Sequence, residues 1–232
     1  MEYKGRVIEL DRPTQTRTPL KNIPVTDGRN TVLTDENGQF TLPGWERARV
    51  ISLGVLTQNH SDWYINIEGH KGDFDFEIQR ADTSVKNFNF LVTSDIEIDR
   101  REDLPFVSFI KKEAEKNGSG LVIHGGDIAG EDALKRQYLA LNSETVGCPV
   151  RYNICNHHFS GKDYGESLFE KLYGPTWYSF NYGDIHFIVI SIGFGDNPTG
   201  YEVTDQGKWL EKDLKLVDKS KKIIALSHGE FP

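Results

Sequence analysis

The sequence predicts an α/β (α+β) chain in two parts: a small all-β sandwich over residues 1–86, then sheet layers flanked by helices over residues 87–232. Three observations support this. From Gly5 to about Arg80, short β-type runs alternate with turn residues and no convincing helix intervenes. After the polar, unpatterned stretch Ala81 to Asn87, apolar runs of strand length alternate with helical stretches. The apolar runs of this second part repeatedly end in a short polar cluster: Ser94-Asp95-Ile96-Glu97, Gly125-Gly126-Asp127, Cys155-Asn156-His157-His158 and Ser227-His228.

The first part has seven expected strands: Arg6 to Leu10, Ile23 to Val25, Thr31 to Thr34, Gln39 to Leu42, Val50 to Leu53, Trp63 to Ile67 and Phe74 to Ile78. Asp27-Gly28 and Asn37-Gly38 fall between strands, where tolerance of positive φ makes tight turns inexpensive. Asp35-Glu36-Asn37-Gly38 lacks the ligand spacing of a calcium loop, with Leu33 where a carboxylate would be needed, and reads as a plain turn. In the second part the expected order is strand Phe88 to Thr93, helix Leu104 to Lys116, strand Leu121 to His124, helix Glu131 to Ser143 and strand Val150 to Ile154. Paired strands Trp177 to Tyr182 and Ile185 to Ser191 follow around Gly183-Asp184. Gln206 to Asp218 places Trp209, Leu210, Leu214 and Val217 on one helical face, and Lys222 to Leu226 is a last short strand.

Composition narrows the function classes. At 232 residues and 37% hydrophobic content the chain can bury one large core or two smaller ones. A net charge of −8 argues against an extended nucleic-acid contact, which needs a clustered Lys/Arg surface, and leaves room for small anions if a metal supplies positive charge. No apolar run reaches the roughly 20 residues of a membrane helix, and Met1-Glu2-Tyr3-Lys4 lacks the form of a secretory leader. The expectation is a soluble chain, compatible with export if a leader has been removed. Cys148 and Cys155, seven positions apart in one predicted strand, would stand roughly 23 Å apart, too far for a disulfide.

A strand that stops at a carboxylate, amide or imidazole delivers that group to one rim of a sheet, where several can converge on a metal. Asp95, Asp127, Asn156 and His228 each follow such a strand. Asp95 or Asp127 alone reads as a turn residue or helix cap; the combination of all four in order is the signal. Asp184-Ile185-His186 lies in a turn between two runs and is not expected to contribute. His60, His70, His124 and His186 read as structural or surface residues, and Trp177 and Tyr178 as core. Gly125-Gly126-Asp127-Ile128-Ala129-Gly130 has an acid where a dinucleotide fingerprint needs its middle glycine, and neither Gly-x-Ser-x-Gly nor His-Glu-x-x-His occurs.

Two resemblances attach to these residues. Pro19 to Val25 with Thr34 to Phe40 resembles the carboxypeptidase-regulatory-like, transthyretin-type β-sandwich. From Phe88 to Pro232 the chain resembles the calcineurin-like metallophosphoesterases, whose motifs run Asp-x-His, Gly-Asp, Gly-Asn-His-Asp/Glu, a lone His, then Gly-His-x-His. That resemblance implies sheet layers of the metallophosphoesterase type and a metal-dependent phosphoric ester hydrolase acting on a small phosphate ester. It further implies two divalent ions (Mn, Fe, Zn or Mg) and a metal-bridging hydroxide as nucleophile. Asp95 and Glu97 would bind the first metal, Asp127 would bridge both, Asn156 and His228 would bind the second, and His157 would be the general acid.

Four departures separate this chain from the family pattern. Glu97 stands where the first motif has His, which adds negative charge and favours harder ions. Cys155 replaces the glycine before Asn156, and His158 replaces the acid after His157. No Gly-His-x-His follows His228 before Pro232, so two expected ligands are missing and the phosphoesterase part is expected to be C-terminally incomplete. A fragment, a site completed by another chain, and a degenerate relative all fit. The rival reading is a non-catalytic protein whose residues 1–86 contact a glycan or another protein.

Overall fold

The computed structural model describes residues 1–82, 84–96, 98, 101–128, 130–154, 166–191 and 201–229. Eight strands occupy the first part: β1 (Glu2–Asp11), β2 (Thr16–Pro19), β3 (Pro24–Thr26), β4 (Thr31–Leu33), β5 (Gln39–Pro43), β6 (Val50–Leu53), β7 (Tyr64–Asn66) and β8 (Phe76–Ile78). Strand β2 was not expected, because Thr16-Arg17-Thr18-Pro19 is polar and all four residues are exposed. Backbone pairing to β1, not an apolar face, makes it a strand.

At ten residues β1 is long enough to serve several partners. Its first half pairs with β5 and its second with β2 and, in parallel, β8. The other four strands form a second sheet in the order β4-β3-β6-β7. The Asn37-Gly38 turn joins β4 to β5 with Gly38 at φ 73°, and a Cβ there would meet the Val7 carbonyl oxygen at 2.4 Å, so only glycine fits. Asp35 spends one carboxylate oxygen on the amides of Asn37 and Gln39, both at 2.8 Å, as an Asx-type turn does.

The second part runs β9 (Asn89–Thr93), a 3-10 turn at Arg101–Asp103, α1 (Pro105–Lys116), β10 (Ser119–His124), α2 (Glu131–Ala140), α3 (Ser143–Val146) and β11 (Val150–Tyr152). There follow α4 (Ser167–Tyr173), β12 (Tyr178–Tyr182), β13 (Ile185–Val189), α5 (Val203–Leu216) and β14 (Lys222–Leu226). Strands β9, β10 and β11 form a parallel sheet in the order β11-β10-β9. Strands β12 and β13 are antiparallel, and β14 adds in parallel to β13. Helix α1 starts well because Pro105, which has no amide hydrogen to leave unpaired, sits in its first turn. The stretch expected as one helix from Glu131 to Ser143 breaks at Leu141, where Asn142 caps α3 by accepting from the amides of Glu144 and Thr145.

The expected α/β sheet layers of metallophosphoesterase type, flanked by helices, are not what folds. The described chain carries more strand than helix, distributed over four small sheets of three or four strands. Sequence periodicity located strands and helices but not what covers each face. Leu121 and Ile123 of β10 pack against Tyr178 and Phe180 of β12, Phe187 and Val189 of β13, and Val50, Leu56 and Trp63 of the first part. Sheet therefore meets sheet where helix cover was expected. Helices cover the opposite face of β10 and β11, where Ile110, Ala114, Leu134 and Phe169 join Val122, Val150 and Tyr152, and α5 packs Trp209 near Ile188 of β13.

The apolar clusters also run across residue 86. Trp177, Ile188 and Trp209 share one cluster with Val7, Val25, Leu42, Trp45 and Ile51. Arg151 of β11 is 1% exposed and reaches into the first part, donating from Nη2 to Thr57 Oγ1 at 3.1 Å with its guanidinium carbon 4.6 Å above the Trp63 ring. Burial pulls its pKa down, and Asp62 and the surrounding tyrosines oppose that shift. No helix among the described residues is long and apolar enough to cross a membrane.

Candidate metal centre

Register places the strand ends. In the parallel pair β9–β10, Thr93 lies opposite His124, so Asp95 and Asp127 lie two and three residues beyond the same level of the sheet. His124 is in turn opposite Tyr152 of β11, and the Asn153 amide donates to the His124 carbonyl at 2.8 Å. Strand β14 belongs to the other sheet, yet its continuation brings His228 to the same rim. Asp95, Asp127 and His228 each offer a ligand atom within 4.8 Å of the other two, with Asp95 exposed and the others half-buried.

The backbone of Gly125-Gly126 holds these three together. The Gly125 amide donates to the Thr93 carbonyl at 2.5 Å, and the Gly126 carbonyl accepts from the Asp95 amide at 3.0 Å. The Gly125 carbonyl lies 3.1 Å from His228 Nδ1, and the Gly126 amide donates to His124 Nδ1 at 3.3 Å. All four polar groups of the dipeptide are thus engaged, tying the ends of β9, β10 and β14 to one turn. A Cβ at Gly125 would sit 3.2 Å from Ser94 Cβ, so even alanine would crowd the β9 end. Gly126 has φ 109°, a conformation that favours glycine.

Among the described residues four non-glycine residues have positive φ, and two of them are Asp95 at 57° and Asp127 at 62°. Aspartate tolerates this region better than most residues, but the conformation still costs energy and is concentrated where both acids face one point. Ser94 Oγ donates to Asp95 Oδ2. Two carboxylates with ligand oxygens within 4.8 Å of one another repel when both are ionised. A divalent cation between them reverses the sign of that interaction.

The donor set suits such an ion. Two carboxylates and one imidazole accommodate Mn²⁺, Fe²⁺ or Zn²⁺, and ligand atoms sharing one ion at ~2.1 Å stand about 3 to 4 Å apart, inside the 4.8 Å within which all three lie here. With Nδ1–H donating to the Gly125 carbonyl, His228 presents its Nε2 lone pair, as an imidazole ligand oriented by a carbonyl does. Behind the acids, His124 is fully buried and burial pushes it down to about 4; Asp95 opposes that shift and His228 adds to it.

Of the sequence-derived candidates, Asp95, Asp127 and His228 come together. Glu97, Asn156 and His157 lie outside the described residues, as do Cys155 and His158. His186 is held elsewhere: its ring nitrogens face Asn181 Oδ1 at 3.0 Å and Asp213 Oδ2 at 2.9 Å, and Asp213 also accepts from Ser179 Oγ at 2.5 Å. The Gly125-Gly126 carbonyls and His124 were not anticipated as part of the centre. The adjacent glycines between a strand and an acid were the available signal, since two such residues suggest a backbone that neighbours approach closely. No protein-family model matches the chain, and no curated protein matches it in sequence.

Proposed function

We propose that this chain is a metal-dependent phosphoric ester hydrolase whose centre is built on Asp95, Asp127 and His228. The observation that carries this reading is the convergence, within 4.8 Å, of ligand atoms from residues 95, 127 and 228, each beyond a different strand. The order of those residues resembles that in the calcineurin-like metallophosphoesterases, which adds a reaction class to the geometry. When bound, divalent ions would supply positive charge for the phosphoryl oxygens and lower the pKa of a water to the range where it attacks at neutral pH.

The chain's own residues define what remains. Asp127, on the turn after the central strand β10, is the acid that would be shared if two ions were bound. Asp95 follows the neighbouring strand β9, and His228, fixed in tautomer by the Gly125 carbonyl, comes from beyond β14 of the other sheet. Glu97 and Asn156 are the proposed further ligands, and His157 the proposed general acid for the leaving group. Two divalent ions (Mn, Fe, Zn or Mg) and a small phosphomonoester or diester substrate follow from the same reading.

The test is hydrolysis of a chromogenic phosphomonoester and diester by the purified chain with Mn²⁺. Metal-dependent turnover is expected, with Asp127→Ala lowering it at least about a hundredfold, the scale of losing a central electrostatic group. Turnover that survives exhaustive chelation, or an Asp127→Ala protein as active as the parent, would overturn the proposal.

A further inference from the structure

We propose that His124 is a positioning residue for this centre, acting through the backbone of Gly126; the inference rests on the metal-centre reading above. Three of the four polar groups of Gly125-Gly126 are spent on β9, Asp95 and His228. The fourth, the Gly126 amide, donates to His124 Nδ1 at 3.3 Å. This bond closes the turn on its own strand, since His124 is the last residue of β10. Without an acceptor at that position the Gly126 amide would be left without its partner beneath the site, and the peptide plane it shares with the Gly125 carbonyl, which faces His228 Nδ1, would lose that anchor.

The bond also sets the ring's tautomer. A nitrogen that accepts an amide hydrogen carries none of its own, so the proton of a neutral His124 resides on Nε2. Nε2 is buried without a hydrogen-bond partner among the described residues, on a side chain that is 0% exposed. Among the described residues the ring makes no ion pair, and its aromatic contact, with Tyr152, is 6.5 Å away at a tilted angle. Packing alone would be served as well by leucine or phenylalanine. What distinguishes histidine is the acceptor at Nδ1.

Two measurements test this. Long-range proton–nitrogen correlation spectra of the metal-free protein should show His124 as the Nε2–H tautomer; an Nδ1–H ring would overturn the proposal whatever the metal chemistry. Titration calorimetry with Mn²⁺ then compares the parent with His124→Leu, which removes the acceptor, and His124→Asn, whose side-chain oxygen can take the place of Nδ1. The expected result is a tenfold or greater loss of affinity in His124→Leu, within the range for groups that orient metal ligands, and recovery to within about threefold in His124→Asn. Equal affinity in His124→Leu, or an equal loss in both variants, would overturn the positioning role while leaving the metal centre intact. Absence of Mn²⁺ binding by the parent itself would remove the metal-centre reading and this inference with it. Should His124→Leu not fold, the tautomer and the His124→Asn affinity still decide.

Discussion

At the scale of single residues, the centre is marked by conformations a stability-optimised chain would avoid. Asp95 has φ 57° and is exposed, so its backbone strain is not repaid by burial. Asp95→Gly should leave the metal-free protein as stable as the parent or up to ~1 kcal/mol more stable, while weakening Mn²⁺ binding. Chemical denaturation with and without metal checks both halves, and a clear destabilisation of the metal-free variant would count against strain at this position. His60 offers a pH-dependent case. Among the described residues both its ring nitrogens are buried without partners, its ring meets Tyr138 edge-on at 5.1 Å, and burial, assisted by Arg151, lowers its pKa. A histidine whose folded pKa is lowered binds its proton more readily when unfolded, so stability falls as pH drops below the unfolded value of ~6.5. His60→Phe should therefore be more stabilising at pH 5 than at pH 8. A pH-independent difference in Tm would refute that assignment.

At the scale of elements, α5 is docked by polar as well as apolar groups. Trp209 buries into the cluster shared with the first sheets, while Asp213, one turn on, receives Ser179 Oγ from β12 and His186 Nε2 from β13. Asp213→Ala would leave both donors buried and unpaired, at a cost of about 2–4 kcal/mol. Asp213→Asn, which keeps an acceptor, should cost less, and guanidinium denaturation of the two variants orders them. The helix itself was legible in the sequence, because Trp209, Leu210 and Leu214 recur on one face. Its docking partners were not: nothing local to Asp213 indicates that Ser179 and His186 lie opposite it. The same holds for β2, whose four exposed residues become a strand only because β1 extends far enough to pair with them.

At the scale of the whole molecule, apolar clusters cross the junction expected near residue 86. Val50, Leu56 and Trp63 pack with Leu121, Phe180 and Phe187, and Arg151 inserts its guanidinium over Trp63. A chain whose halves share core in this way should unfold as one unit. Tryptophan fluorescence and far-ultraviolet circular dichroism should give coincident denaturation curves, whereas two separated transitions would show independent halves. Residues 1–86 expressed alone should lack cooperative unfolding, because Trp177, Ile188 and Trp209, which complete their core, would be missing.

What the sequence determined by itself was local: where apolar runs begin and end, that Asp95, Asp127 and His228 follow strands, and that glycines precede Asp127. Periodicity and turn chemistry act over a few residues, so they are written into adjacent positions. The tertiary structure alone decided that sheet packs on sheet where helices were expected, that Thr93 lies level with His124, and that a strand of another sheet delivers His228 within 4.8 Å of both acids. Those outcomes depend on pairing register and face-to-face packing between segments from about thirty to more than a hundred residues apart, which the hydrophobic pattern permits in several combinations and only the packed core selects.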